Sequence, residues 1–516
     1  MTTTLLGSIL SSFRFSFSLG WRLFELDGAR LRALLALLTA ASIAAPPLVA
    51  GQDSAIVPQS KVERKNKAPV SSETLRVRLP KPVEAKLANG LTVLVVEDHR
   101  LPTVVAELHI RGAGALFEPA ILPGLAAATA QMLREGSNKR TSRQIAEELD
   151  RLGASVGAGA SFGSVETVFS ASGLSENFDG WFAVALDMLL YPSFPARELD
   201  RLKKRARVQL RQQRARARFL AGERFNRAVF GSHPAAVVTP TLESINALTP
   251  DLLAKWHRER YAPDRSVLAI AGDVYVSELI PKLERWLADW QNAGGKQGMP
   301  PNPVPVSARK IYLVDRPNSV QTTLTVGNIA VDRRSEDFVS MVVMNNLLGG
   351  GPAARLFLNL REEKGYTYGA YSGFTAVEYP GPWSAGADVR TEVTEGALTE
   401  LLNEIRRIRD TKVGEAELAA TKHAVVARFA LALEQPSRLL GFALTRKLYK
   451  LPDDYWDTYP AKVAAVTADD VQRVARKYLD PEAIQIVAVG DSRKIKPGLE
   501  KFGKIEVYDI DGKIIP

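Results

Sequence analysis

Cysteine is absent from the 516-residue chain. Disulfides, thiolate metal sites, a cysteine nucleophile and a lipid anchor on cysteine are excluded with it. Histidine is scarce: the five are His99, His109, His233, His257 and His423. None lies three or four residues from another, so a helical two-histidine metal motif occurs in neither direction. His109 sits in an apolar strand pattern and reads as a hydrogen-bonded structural residue; His233, in Gly-Ser-His-Pro, reads as a loop residue. Phosphate-cradling P-loops, a G-x-S-x-G elbow and a dinucleotide fingerprint are all missing. After the N-terminal region no apolar run is long enough to span a bilayer.

What is present fits a folded protein with more than one core: 46% hydrophobic and 24% charged residues over this length. Formal net charge is +10, which permits acidic partners without naming one. Arg30 and Arg32 precede an apolar run, Ala33 to Ala45, and a small-residue end at Pro46–Ala50. That order predicts a secretory signal over 1–50 cut near Ala50, hence a periplasmic or secreted mature chain. An uncleaved membrane anchor is the alternative. Residues 51–75 are polar and read as a flexible tether.

From there the pattern alternates strands and helices. Glu84–Leu87, Asn89-Gly90 and Leu91–Val96 form a hairpin signal. Strands are expected at Val104–Ile110, Ala154–Ala160, Glu166–Ser172 and Ser266–Ala271. Helices are expected at Leu122–Leu133, at Ser142–Leu152 with Ser142 as N-cap, and at Asn177–Leu190, Glu198–Leu220 and Leu252–Arg260. Residues 292–306, rich in Gly and Pro, read as a linker between domains at 76–291 and 307–516. The second domain repeats the first: residues 248–273 align with 466–491 at one offset, pairing Thr249 with Thr467, Pro263 with Pro481 and Gly272-Asp273 with Gly490-Asp491. The expected fold is α+β, two homologous αβ domains. Asp273 and Asp491, symmetric at strand ends, read as structural turns.

Two stretches carry possible function. Between Arg201 and Arg218 nine of eighteen residues are Lys or Arg, either a solvated basic face or an electropositive wall for acidic peptides or a partner chain. Nucleic acid is disfavoured, since no aromatic residues interleave with the charge. The other is Gly349–Phe374. Gly349, Gly350 and Gly351 form a hinge or peptide-approach loop. Ala353, Leu356, Phe357 and Leu360 then have the spacing of one buried helix face, with Pro352 in the first turn and Gly365 just past the end. An alternating strand follows in which Tyr366, Tyr368, Ala370 and Ser372 share a face. Arg361 and Tyr368 together can hydrogen-bond the carbonyls of a bound peptide.

The duplicated halves, the Gly124-Leu125-Ala126 start of a helix and the segment LREEKGYTY resemble the M16 (pitrilysin-type, inverted zinc-motif) peptidases from about Leu79 to Asp491. The resemblance implies two antiparallel-rich sheets flanked by helices, closing as a clamshell. Active members carry H-x-x-E-H on a first-half helix and a further Glu on a later one. Here Ala127, Ala130 and Gln131 stand at the motif positions, and Gln209 near the third-ligand position. Ala offers no donor, and a Gln amide is a poor ligand beside imidazole or carboxylate. No zinc is expected in this chain. Arg361 and Tyr368 match the family's substrate-binding Arg and Tyr, the latter near the scissile carbonyl. The resemblance thus implies a catalytically silent subunit that binds peptide and completes the chamber of a zinc-bearing M16 partner. A non-enzymatic peptide-binding or scaffold protein of the same fold is the alternative, and a stand-alone peptidase with an unrecognised site a third reading.

Overall fold

The Asn89-Gly90 turn starts the first sheet. Gly90 has φ +91°, and Leu87 N–H bonds Leu91 O at 2.9 Å, closing β1 (Val83–Lys86) onto β2 (Thr92–Glu97). The computed structural model describes Val77, Leu79 and residues 81–292 and 298–515. The expected signal and tether, and residues 293–297 of the linker, lie outside these. All described residues belong to one compact unit, Ser72–Pro516.

In the first half β3 (Thr103–Arg111) leads to α1 (Leu125–Met132), α2 (Ser142–Arg151), the hairpin β4 (Ser155–Gly159) and β5 (Glu166–Leu174), and α3 (Phe178–Leu190). Then come α4 (Ala196–Arg214), α5 (Ala217–Phe230), α6 (Leu242–Ala247), α7 (Pro250–Arg260), β6 (Ser266–Gly272) and α8 (Val276–Trp286). The second half runs β7 (Lys310–Asp315), β8 (Gln321–Ile329), α9 (Phe338–Gly349), β9 (Thr367–Phe374), β10 (Pro382–Arg390), α10 (Thr394–Asp410), α11 (Glu415–Ala432), α12 (Pro436–Leu448), α13 (Tyr455–Ala465) and α14 (Ala468–Tyr478). It ends with β11 (Gln485–Gly490), α15 (Ser492–Leu499), β12 (Ile505–Tyr508) and β13 (Ile514–Ile515).

The sheet orders are β1-β2-β6-β3-β5-β4 and β13-β12-β7-β11-β8-β10-β9. Five strands in each share one plan: β2-β6-β3-β5-β4 corresponds to β7-β11-β8-β10-β9, and only the β2–β6 and β7–β11 pairs among them are parallel. The aligned repeat has a physical basis, because Thr249 and Thr467 both cap their helices, α7 and α14, through the side-chain hydroxyl. Each hydroxyl accepts the N–H three residues on, from Leu252 at 3.2 Å and from Asp470 at 3.1 Å. Asp273 and Asp491 both serve turns: Asp273 accepts from Ser175 Oγ at 2.7 Å, and Asp491 from Asn318 N at 3.0 Å.

Each sheet has its own helices on one face and a helix of the other half on the second. From the first half, α5 lays Leu220, Phe225 and Val229 on Tyr312, Ile329, Val487 and Val489 of the second sheet. Reciprocally, α12 packs Leu440, Ala443 and Leu444 on Leu94, Val96, Val267 and Ala269 of the first. This exchange explains why β6 and β11 are buried along their whole length rather than alternating.

Two first-half helices differ from the sequence pattern in their cap or continuity. The cap of α2 is Thr141, not Ser142: Thr141 and Gln144 form a reciprocal capping box, while Ser142 Oγ donates to Glu135 at 2.9 Å. The single basic helix expected over Glu198–Leu220 is two. It breaks at Ala215–Arg216, where Arg216 is extended (φ −101°, ψ 120°). The turn lets α5 reach the second sheet, and Arg214 braces the corner with paired bonds to buried Glu223 at 2.9 and 3.0 Å.

His109 on β3 is the structural histidine its strand suggested. Its Nδ1 lies 2.8 Å from Glu166 Oε1 and its Nε2 3.6 Å from Glu107 Oε2. Burial alone would lower its pKa, but the two carboxylates outweigh that and hold it at about 9. The folded value exceeds the unfolded 6.5. The stabilisation is therefore complete below about pH 6.5 and is lost as pH rises through about 9. Between pH 6 and pH 10, denaturant titrations should show the wild type losing about 2–3 kcal/mol more than His109→Gln.

Candidate functional site

The Arg361–Tyr368 element is anchored before it is exposed. Arg355 is buried and makes paired bonds to Glu417 on α11, at 2.7 and 2.8 Å. Asn359 Nδ2 donates to Glu400 and Glu404 on α10, both at 2.9 Å. Between these anchors a short helix, Arg355–Phe357, widens into a π-helical turn over Leu358–Glu363, a form that often marks functional positions. Helical structure begins at Arg355, so Pro352 and Ala353 precede it and Ala353 is exposed, unlike the expected apolar face. Leu356, Phe357 and Leu360 are buried as expected, and Gly365 takes the left-handed conformation, φ +63°. Arg361 lies in the π-turn, half-exposed, its guanidinium 4.8 Å above the Phe357 ring and its Nε 3.4 Å from Glu362 Oε1.

Tyr368 does not share a strand face with Ala370. Ala370 is fully buried, whereas Tyr368 is 90% exposed. The cause is a β-bulge: Ala387 pairs with Ala370, but Val389 pairs with Thr367, so three steps on β9 oppose two on β10. The extra residue turns Tyr368 out of the alternation. The Thr367 hydroxyl pins the bulge, donating to Asp388 O at 2.7 Å and accepting from Gly369 N at 3.1 Å. Among the described residues the Tyr368 hydroxyl has no hydrogen-bond partner.

The glycines serve packing first. Gly349 is the buried last residue of α9, and a Cβ there would lie 2.4 Å from Ser372 N on β9. Gly350 abuts Asn346 of its own helix, and Gly351 faces open space.

Of the residues that the sequence resemblance sets at metal-ligand positions, α1 presents Ala127 half-buried, Ala130 buried and Gln131 exposed; Gln209 is exposed on α4. Two methyl groups and two amides do not make a zinc site, and among the described residues no three His, Asp or Glu side chains gather at metal-binding geometry. Sequence reading missed Glu118, whose carboxylate caps α1 by accepting from Gly124 N at 2.9 Å and Ala126 N at 2.6 Å. Burial lifts its pKa to about 7 against those two bonds.

Tyr368 and Gln209 lie along one trough. Its first section, about 570 Å³, is lined by Tyr368, Gly369 and Tyr371 of β9, by Thr323 and Asp388, and by Arg218 of α5. The next, about 560 Å³, shares Arg218, Thr323 and Asp388 and adds Arg216 and Arg316. The third, about 660 Å³, shares Arg216 and follows α4 past Gln213, Gln212, Gln209, Arg205 and Lys204. Arg361 does not line these sections.

The fold and site define an α+β protein of two duplicated halves, with a trough ending at an exposed tyrosine. Two family models match it: insulinase (peptidase family M16) over residues 92–236, and the peptidase M16 inactive domain over residues 247–425. Together they account for more than half of the chain, which belongs to the M16 peptidase family. It is 25% identical to a Bacillus subtilis protein named uncharacterized zinc protease YmxG, over 78% of this chain and 96% of that one. The crystal structure of a peptidase M16 inactive domain from Pseudomonas fluorescens superposes with a TM-score of 0.74 at 27% identity, covering 79% of this chain and 98% of that one. A protease from Helicobacter pylori, at 17% identity and a TM-score of 0.73, covers 80% of this chain and 100% of its own and shows the same fold.

Proposed function

We propose that this chain is a zinc-free M16 subunit that binds peptide and supplies Arg361 and Tyr368 to the active site of a zinc-bearing M16 partner. One observation carries the reading: among the described residues the Tyr368 hydroxyl is unpartnered, and the residue is 90% exposed at the head of a trough; the sequence resemblance sets Ala127, Ala130, Gln131 and Gln209 at the family's ligand positions. A phenol held out by a pinned bulge is suited to a carbonyl brought by another molecule. In the complex the partner's metal supplies Lewis-acid activation of water and carbonyl. This chain's part is to hold the peptide in the trough and to donate the Tyr368 O–H toward the carbonyl oxygen. The Arg361 guanidinium is a second donor for the peptide backbone. We place the complex in the periplasm or outside the cell, following the signal layout of the N-terminus.

The test is reconstitution. The mature chain is co-expressed with a zinc-bearing M16 chain encoded beside it, and the pair is followed by size-exclusion chromatography and peptide cleavage. A stable heteromer, active only when both chains are present, is expected. Equal activity of the partner alone, or of a complex carrying Arg361→Ala with Tyr368→Phe, would overturn the reading.

A further inference from the structure

We propose that the trough selects peptides by negative charge, holding a segment rich in Asp or Glu along α4 while Tyr368 addresses the bond beyond it. The inference rests on the trough being the peptide site and adds the class of peptide it takes.

The charges of the trough are one-sided. Among the described residues Lys204, Arg205, Arg216, Arg218 and Arg316 line it, against a single carboxylate, Asp388. Asp388 is already satisfied, accepting from Arg218 Nε at 2.7 Å and from the Thr323 hydroxyl at 2.6 Å. The other cations are not so neutralised. Arg205 has Glu135 no nearer than 3.7 Å, and Arg316 Nη2 donates to the Ala215 carbonyl at 2.8 Å, a neutral partner. Among the described residues neither Lys204 nor Arg216 makes an ion pair. Lys204 and Arg205 lie on one face of α4, while Arg216, Arg218 and Arg316 come from different elements to surround the middle section, where their fields add and favour an incoming anionic group.

The dimensions and the remaining chemistry suit a peptide. From Lys204 to Gln213 the helical rise amounts to about 14 Å, the length of roughly four extended residues. Gln209, Gln212 and Gln213 sit between the cations, each with an amide able to donate to and accept from a peptide backbone. Among the described residues the cationic section contains no aromatic side chain on which bases could stack. The break between α4 and α5 places Arg216 where the two sections meet, so a peptide following the trough passes from the cations toward Thr323 and Tyr368.

The test measures binding to the isolated full chain by fluorescence anisotropy. Two labelled peptides are used, alike except that Glu at four positions in one is Gln in the other. The wild type should bind the Glu peptide about tenfold more tightly, a difference of about 1.4 kcal/mol, with the advantage shrinking at high salt. Lys204→Glu with Arg205→Glu and Arg216→Glu should abolish or reverse the preference. All three side chains are exposed, and an unchanged melting temperature confirms folding. Equal affinities in the wild type, or a preference that survives the triple variant, would overturn the inference. So would an oligonucleotide of matching charge that outcompetes the Glu peptide. Failure here is separable from failure of the subunit reading: loss of partner activity on the Gln peptide with Tyr368→Phe would leave that reading standing.

Discussion

Replacing Tyr368 by Phe is expected to lower kcat of the reconstituted peptidase about a hundredfold, with KM and the melting temperature of this chain nearly unchanged. The substitution removes one hydroxyl and no packing. Tyr368 is 90% exposed and its hydroxyl has no partner among the described residues, so the cost to folding should stay within about 0.5 kcal/mol. A donor aimed at charge developing on a carbonyl oxygen is worth about 3 kcal/mol in the transition state and much less in the ground state. The loss should therefore fall on kcat. Arg361→Ala should behave differently, because a guanidinium bonding the peptide backbone acts in both states and its removal raises KM. Steady-state kinetics at saturating partner, together with thermal melts of the single chain, separate the two. A change in kcat below about twofold for Tyr368→Phe would place the hydroxyl outside the chemistry.

The bulge that exposes Tyr368 also shows where sequence reading stops. Strict alternation placed Tyr368 with Ala370, and one inserted residue reversed that relation. No Gly or Pro at Ala215–Arg216 signals the break before α5; Arg, Gln and Ala all favour helix, and only the second sheet's need for a cover turns the chain. The trough was equally hidden, since it joins Gln209 to Tyr368 through the packing of α5 on β8 and β11. What could be read was local or repeated. The Asn89-Gly90 turn, the left-handed Gly365 and the paired caps Thr249 and Thr467 each satisfy backbone groups within a few residues. That Ala127 and Ala130 carry no donor atom likewise needs no fold to be seen. Arg355 lay beyond that reach: nothing near it in sequence announces that Glu417 will neutralise it.

The exchanged helices make a second large effect predictable. Phe225→Ala should destabilise the chain by about 3–5 kcal/mol. The Phe225 ring fills the space left by the missing side chain of Gly327: a Cβ on that glycine would lie 2.7 Å from Phe225 Cζ and 2.1 Å from Trp383 O. Truncation opens a cavity at the contact of α5 with β8, and the backbone of neither half can collapse into it without disturbing its own sheet. Phe225→Leu, which keeps most of the volume, should recover well over half of the loss. Because α5 belongs to one half and covers the sheet of the other, the damage should also weaken the coupling between them. Urea unfolding would then split into two transitions, one followed through Trp181 and Trp256 in the first core, the other through Trp383 in the second. Leu440→Ala on α12 should produce the same splitting from the opposite side, at about 2–5 kcal/mol. Arg218 and Gly222 of α5 line the trough beside Tyr368. Preference for the Glu peptide should therefore fall in Phe225→Ala at urea concentrations below the first transition. A variant that unfolds in one step with its preference intact would show that the exchanged helices carry stability without coupling the halves.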